Sequence, residues 1–258
     1  MTQIKIIKIG GNIIDSTMEL EQFLLDFALI DGPKILVHGG GAMASQMAKS
    51  MGVEPQMHQG RRITDAETLK LVTMVYAGWI NKSIVAKLQQ KGVDALGLSG
   101  ADANTVPAVM RSKEPIDFGY VGDVDPEKIN VRLILNLISR GIVPVFCAIT
   151  HDENGTLLNT NADTMASSIA IALSKEYSTS LIYCLEKKGV LNDVNNPDSV
   201  IPLINSRNYQ ILKNSGVVKD GMIPKLDNAF NAIDNGVYQV CIKHASNLSN
   251  DFGTILKK

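Results

Sequence analysis

Residues 4–12 read IKIIKIGGN, four Ile and two Lys closed by two glycines and an asparagine. An apolar run of this length followed by a glycine turn is the pattern of a buried strand delivering its carboxyl end to a loop. The pattern recurs. Runs rich in Ile, Val and Leu occupy Lys34–Val37, Ala95–Leu98, Ile142–Ile149, Leu181–Leu185 and Val237–Ile242, and most lead through glycine into helical spacing. That spacing predicts helices over Thr17–Leu29, Ala42–Met51, Asp65–Gln90, Val131–Arg140, Ala162–Ser174 and Ile223–Asp234. Strands alternating with helices predict an α/β chain with a parallel sheet and crossover helices.

Two excursions break the alternation. Asn154-Gly155 is a hairpin turn signal between Ala148–His151 and Thr156–Asn159, and a second hairpin or excursion is expected around Val106–Val124. Polarity shifts after Ser174, and NDVNNPDS at Asn192–Ser199 is rich in turn formers, so a lobe boundary is expected near residue 175.

Composition bounds the partners. The 258 residues are 45% hydrophobic and 20% charged, as in a globular domain, and 25 Lys and Arg against 26 Asp and Glu leave a net charge of −1. No general positive field exists to hold nucleic acid or an anionic membrane, so any anion must be held locally. Cys147, Cys184 and Cys241 lie far apart in apolar runs and read as reduced core thiols. With no signal peptide or spanning segment in the sequence, a cytoplasmic chain is expected.

Local anion sites are easy to find. Glycine loops follow the first two strands, KIGGN at 8–12 and HGGGA at 38–42, and such loops bring backbone N–H groups close to a ligand at the strand ends. Neither is GxGxxG, and no GxxxxGK[ST] is present. Lys8 is a fixed charge beside the first loop. Asn159, Asn161 and Asp163 alternate into a predicted helix, where one of them is expected as its cap and all three can share a face. Lys225 falls in the first turn of another helix, a position electrostatically awkward for a cation unless an anion sits against it. Arg61 and Arg62 are both suited to clamp a carboxylate, and the residues alone do not choose between them. His38, His58, His151 and His244 lack metal-ligand spacing and read as structural or solvated. The apolar residues of the long helix, among them Met74, Tyr76 and Trp79, read as core or subunit contact.

Taken together, KIGGN, VHGGGA, GRRITD, GLSGADAN, NTNAD and KDGMIPK, in this order over Ile4 to about Gly253, resemble the amino acid kinase family, and within it the branch acting on N-acetyl-L-glutamate. The resemblance implies a three-layer αβα sandwich with an open, mainly parallel sheet and two lobes. Residues 1–175 would hold the amino acid and the dimer contact, and residues 176–258 would hold ATP. It implies Mg-ATP-dependent phosphorylation of the 5-carboxylate of N-acetyl-L-glutamate, a step of arginine biosynthesis, by a homodimer that needs neither nucleic acid nor membrane. Lys8 and Lys225 would stabilise the moving phosphoryl group, with Asp163 organising them. Gly40, Gly41, Arg62 and Asn159 would bind the amino acid. Gly10, Gly11, Glu186, Lys187, Gly189, Leu191, Val218, Lys219 and Gly221 would bind the nucleotide and its phosphates, with Mg²⁺ held mainly by ATP.

Two departures stand out against this family. Relatives commonly carry Ser-Asp-Val-x-Gly where this chain reads Leu185-Glu186-Lys187-Lys188-Gly189, which puts the nucleotide contacts in question. Only Met1 to Gln3 precede the first strand, whereas arginine-inhibited relatives have a further helix there, so an arginine-insensitive dimer is expected. An N-succinyl-L-glutamate kinase, a carbamate, aspartate or glutamate kinase, and a non-catalytic ligand sensor remain open at this point.

Overall fold

A computed structural model describes residues 3–58, 60–219 and 221–258; Asp220, which falls in the KDGMIPK motif above, lies outside the described residues. Eight strands form one sheet: β1 Ile4–Ile9, β2 Lys34–His38, β3 Ala95–Leu98, β4 Val143–Cys147, β5 Thr179–Leu185, β6 Leu203–Asn205, β7 Gln239–His244 and β8 Thr254–Lys257. Their spatial order is β6-β8-β7-β5-β1-β2-β4-β3. Every pairing is parallel except β7 with β8. The sheet passes unbroken across residue 175, because β5 lies directly against β1.

Among the described residues nine helices cover the sheet: α1 Gly11–Asp15, α2 Thr17–Ala28, α3 Gly41–Ser50, α4 Ala66–Thr73, α5 Asn81–Gln90, α6 Val131–Ser139, α7 Ala162–Ser174, α8 Ser206–Asn214 and α9 Met222–Asp234. The strand period of two divides the core. Ile4, Ile6, Ile35, Val37, Leu181 and Tyr183 face α6–α9, whereas Ile7, Ile9, Leu36 and Cys184 face α1–α5. Lys8 is in phase with Ile4 and Ile6, so β1 delivers its one site lysine to the α7 and α9 side.

Both hairpins form. Ile149–His151 pairs antiparallel with Leu157–Asn159 around Asn154-Gly155, and Ala108–Met110 pairs with Gly122–Val124. The expected strand Ile142–Ile149 is two strands, because the chain leaves the sheet after Cys147 and starts the hairpin at Ile149. The expected helix Asp65–Gln90 is α4 and α5 joined by a π-helical stretch, Met74–Ile80. In it Tyr76 is buried, whereas Met74 and Trp79 are 57% and 66% exposed.

Candidate active site

β1 and β2 run side by side in register, so their glycine loops emerge together at the carboxyl edge of the sheet. Each loop starts a helix, α1 at Gly11 and α3 at Gly41. The helices α2, α4, α6, α7 and α8 begin with a Ser, Asp or Asn side chain capping a first-turn N–H. By contrast α1, α3 and α9 begin at Gly10, Gly40 and Gly221 without a side-chain cap. At α9 the Met222 N–H turns back to Lys219 O at 3.1 Å, whereas at α3 the uncapped first-turn donors and the aligned helix dipole suit an anion.

Gly40 has φ +153°, a conformation open to glycine, and a Cβ there would overlap Ile80 and lie 3.0 Å from Tyr76. The π-helical stretch therefore closes directly on the HGGG turn. Gly10 spends its N–H on Cys184 O at 3.0 Å, leaving Gly11 as the residue of that pair facing open space.

Between the loops and α9 sits a buried charge triad. Lys8 Nζ lies 2.7 Å from Asp163 Oδ1, and Lys225 Nζ pairs with Asp163 Oδ2. Lys8 and Asp163 are each 7% exposed. Burial by itself pushes the Asp163 carboxyl up, but the charges of Lys8 and Lys225 outweigh it and hold the group at about 2. Asp163 is free for this role because Asn161 caps α7, accepting from the N–H groups of Asp163 and Thr164 at 2.9 and 3.0 Å. The alternating polar residues thus divide, one capping the helix and one holding the lysines. The anion that the sequence required beside Lys225 is this carboxylate.

One pocket opens on Lys8 of the triad, and a second reaches the start of α9, one turn before Lys225. The first, about 310 Å³, is lined by Lys8, Gly11, Asn12, Gly39–Ala42, Arg61, Arg62, Tyr76, Arg111 and Asn159–Ala162. Arg62 is buried while Arg61 is exposed. Arg62 Nη2 donates to Gly41 O at 2.9 Å and Ser45 Oγ at 2.6 Å, leaving Nη1 buried without a partner among the described residues. A buried, unpaired guanidinium N–H is costly in isolation and marks a place for an anionic acceptor. Asn159 Nδ2 is held by Thr64 Oγ1 at 3.0 Å.

The second pocket, about 610 Å³, is lined by Lys187, Gly189–Asn195, Ser215–Lys219, Gly221 and Met222. Here the sequence-predicted nucleotide residues Lys187, Gly189, Leu191, Val218, Lys219 and Gly221 come together. Glu186 stays outside, exposed on the loop after β5. Of the two unexpected lysines, Lys188 is engaged by Asp198 Oδ1 at 2.5 Å, and only Lys187 faces the cavity. Gly189 makes the close approach to β8 that shapes this wall: a Cβ would lie 2.7 Å from Thr254 Oγ1.

Ser45, Asn12, Tyr76 and Arg111 were not singled out for this site by the sequence. Ser45 lies one turn after Gly41 on α3, a helical spacing that was available to be read. Arg111 is brought in by the second hairpin, where Asp123 and the Phe118 ring hold its guanidinium.

Comparison with known proteins gives a consistent set. The amino acid kinase family profile matches residues 3–244. An acetylglutamate kinase of Phocaeicola vulgatus is 52% identical over 256 residues, covering 99% of this chain and 99% of its own. One from Cytophaga hutchinsonii is 55% identical over 249 residues, covering 96% and 94%. Among solved structures, a Streptococcus mutans protein superposes with a TM-score of 0.81 at 30% identity, covering 100% of this chain and 99% of that one.

Proposed function

The chain belongs to the amino acid kinase family, and from that premise we propose that it transfers the γ-phosphoryl group of ATP to the 5-carboxylate of N-acetyl-L-glutamate. The observation that carries this reading is the Lys8–Asp163–Lys225 triad, whose Lys8 lines one pocket and whose Lys225 follows by one turn the start of α9 that lines the other. One pocket presents an unpaired guanidinium N–H and an amide; the other is large and carries two lysines.

The acceptor oxygen is already anionic, so no base is needed to activate it. It attacks the γ-phosphorus in line, the bond from that phosphorus to the β–γ bridging oxygen breaks, and ADP leaves with the electron pair. Charge spreads over the three equatorial oxygens during transfer, and catalysis consists of holding two anions together while neutralising that charge. Lys8 and Lys225 supply the positive charge. Asp163 fixes both ammonium groups and acts as organiser rather than base. Arg62 Nη1 takes the α-carboxylate, Asn159 the acetamido group, and the N–H donors of Gly40 and Gly41 complete the acceptor site. Lys187, Gly189, Leu191, Val218, Lys219 and Gly221 line the nucleotide site. Residues 1–175 thus serve the acceptor and residues 176–258 the nucleotide.

No group of three His, Cys, Asp or Glu side chains suited to a metal occurs among the described residues. The Mg²⁺ of Mg-ATP would be held by the nucleotide's phosphates, where it offsets their charge. Among the described residues no helix is long and apolar enough to cross a membrane. Exposed Met74 and Trp79 on the π-helical stretch support a homodimer joined there.

The test is direct. Purified chain, Mg-ATP and N-acetyl-L-glutamate should release ADP and, with hydroxylamine present, yield the hydroxamate that traps an acyl phosphate. No hydroxamate above a no-acceptor control refutes the assignment.

A further inference from the structure

His38 ends β2 immediately before the three glycines of the first pocket and is fully buried. Its ring Nδ1 lies 2.8 Å from Gly39 O, and its Nε2 lies 3.0 Å from Asn81 Nδ2. The same Asn81 atom lies 2.9 Å from Val145 O, and a carbonyl can only accept, so this atom is the amide nitrogen and donates to Nε2. Lys82 Nζ, 3.2 Å from Asn81 Oδ1, fixes the amide in the same orientation. The ring proton is therefore on Nδ1, donating to Gly39 O. Burial keeps the ring neutral by pulling its pKa down to about 4.

Asn81 follows the π-helical stretch Met74–Ile80. In such a stretch the i→i+5 closure brings residues five apart onto one face, whereas the 3.6-residue turn of an α-helix separates them. Tyr76 and Asn81 are five apart, and both face the HGGG turn, with Ile80 between them on Gly40. The edge strand leaves room for the amide: a Cβ at Gly97 would overlap Asn81 Oδ1 and lie 2.9 Å from Lys82 Nζ. Three elements thus converge on one peptide group that begins the acceptor pocket.

We propose that His38 and Asn81 are positioning residues, which hold the Gly39 carbonyl and thereby aim the Gly40 and Gly41 N–H donors at the acceptor. The proposal rests on reading the first pocket as the N-acetyl-L-glutamate site. The π-helical register then has a purpose, since it lets one helical face carry both the apolar contact on Gly40 and the amide on His38.

The experiment is steady-state kinetics of Asn81→Leu, His38→Leu, His38→Asn and Gly97→Ala, with thermal melts and long-range ¹⁵N–¹H NMR of the imidazole. Asn81→Leu and Gly97→Ala should each raise KM for N-acetyl-L-glutamate about tenfold, the usual effect of one lost buried hydrogen bond. KM for ATP should stay within twofold. His38→Asn, which keeps a donor near the Nδ1 position, should recover most of what His38→Leu loses, and the wild-type spectrum should show the proton on Nδ1. Gly97→Ala retains both polar groups and keeps the test open if Asn81→Leu fails to fold. An unchanged acceptor KM in the folded variants, an equal rise in both KM values, or a proton on Nε2 would overturn the proposal. A wild-type chain inert toward N-acetyl-L-glutamate would overturn the reading of the pocket, and the proposal with it.

Discussion

Replacing Asp163 by Asn keeps the shape of the side chain and removes the one charge that joins Lys8 to Lys225. Its carboxyl is held at about 2 instead of the ordinary 3.8, and at about 1.4 kcal/mol per pH unit this corresponds to roughly 2–3 kcal/mol of folded-state preference for the carboxylate. Leaving buried charges without their partner costs about 3–5 kcal/mol in comparable cases. Lys225, with a side chain 25% exposed, can turn toward water and relieve part of that cost, whereas Lys8 at 9% cannot. The expected loss is about 3 kcal/mol, measured as the difference in urea unfolding free energy between the variant and wild type at pH 7. Because the folded pKa lies below the unfolded one, the contribution is complete above pH 3.8 and disappears as pH falls toward 2. The difference should therefore be constant from pH 7 to 5 and about halved near pH 3. A loss below 1 kcal/mol at pH 7, or a difference that does not narrow with acid, would refute the account of how the triad is held.

Arg62→Ala should raise KM for N-acetyl-L-glutamate by about 10- to 100-fold, the loss of a charge-assisted pair, with KM for ATP unchanged in the same kinetic series. Gly40→Ala forces a Cβ into Ile80 and Tyr76; thermal or urea unfolding should show a loss of about 1–3 kcal/mol. Burial pushes the Cys147 and Cys184 thiols up to about 12 and raises Cys241 as well. The native protein should accordingly react with Ellman's reagent only slowly, and all three thiols should react once it is unfolded.

Much of the sheet was legible because its strands are continuous apolar runs ending in glycine, as β1 and β2 show. What escaped were short pieces. Leu203–Asn205 and Thr254–Lys257 are three and four residues long and sit at or near the sheet edge, where little burial is written into the sequence. The break between Cys147 and Ile149 was invisible because both sides are buried. So was the π-helical stretch, whose apolar residues fit an α-helical face nearly as well and whose register is set by the Gly40 and His38 contacts. At the site, Lys8, Asp163 and Lys225 were each ambiguous alone. Their meaning lies in distances across residues far apart in sequence, which the family resemblance supplied and periodicity did not. His38 went the other way: without ligand spacing it read as structural or solvated, and only the amide orientation of Asn81 gives it a role beside the site.

The central claim is that Lys8 and Lys225 act on the transferring phosphoryl group. Single-turnover transfer from Mg-ATP to saturating N-acetyl-L-glutamate tests it most directly. Lys8→Ala and Lys225→Ala should each slow the chemical step by about 10²–10³-fold, the range for removing one preorganised charge donor. A rate within threefold of wild type for either folded variant would contradict the account.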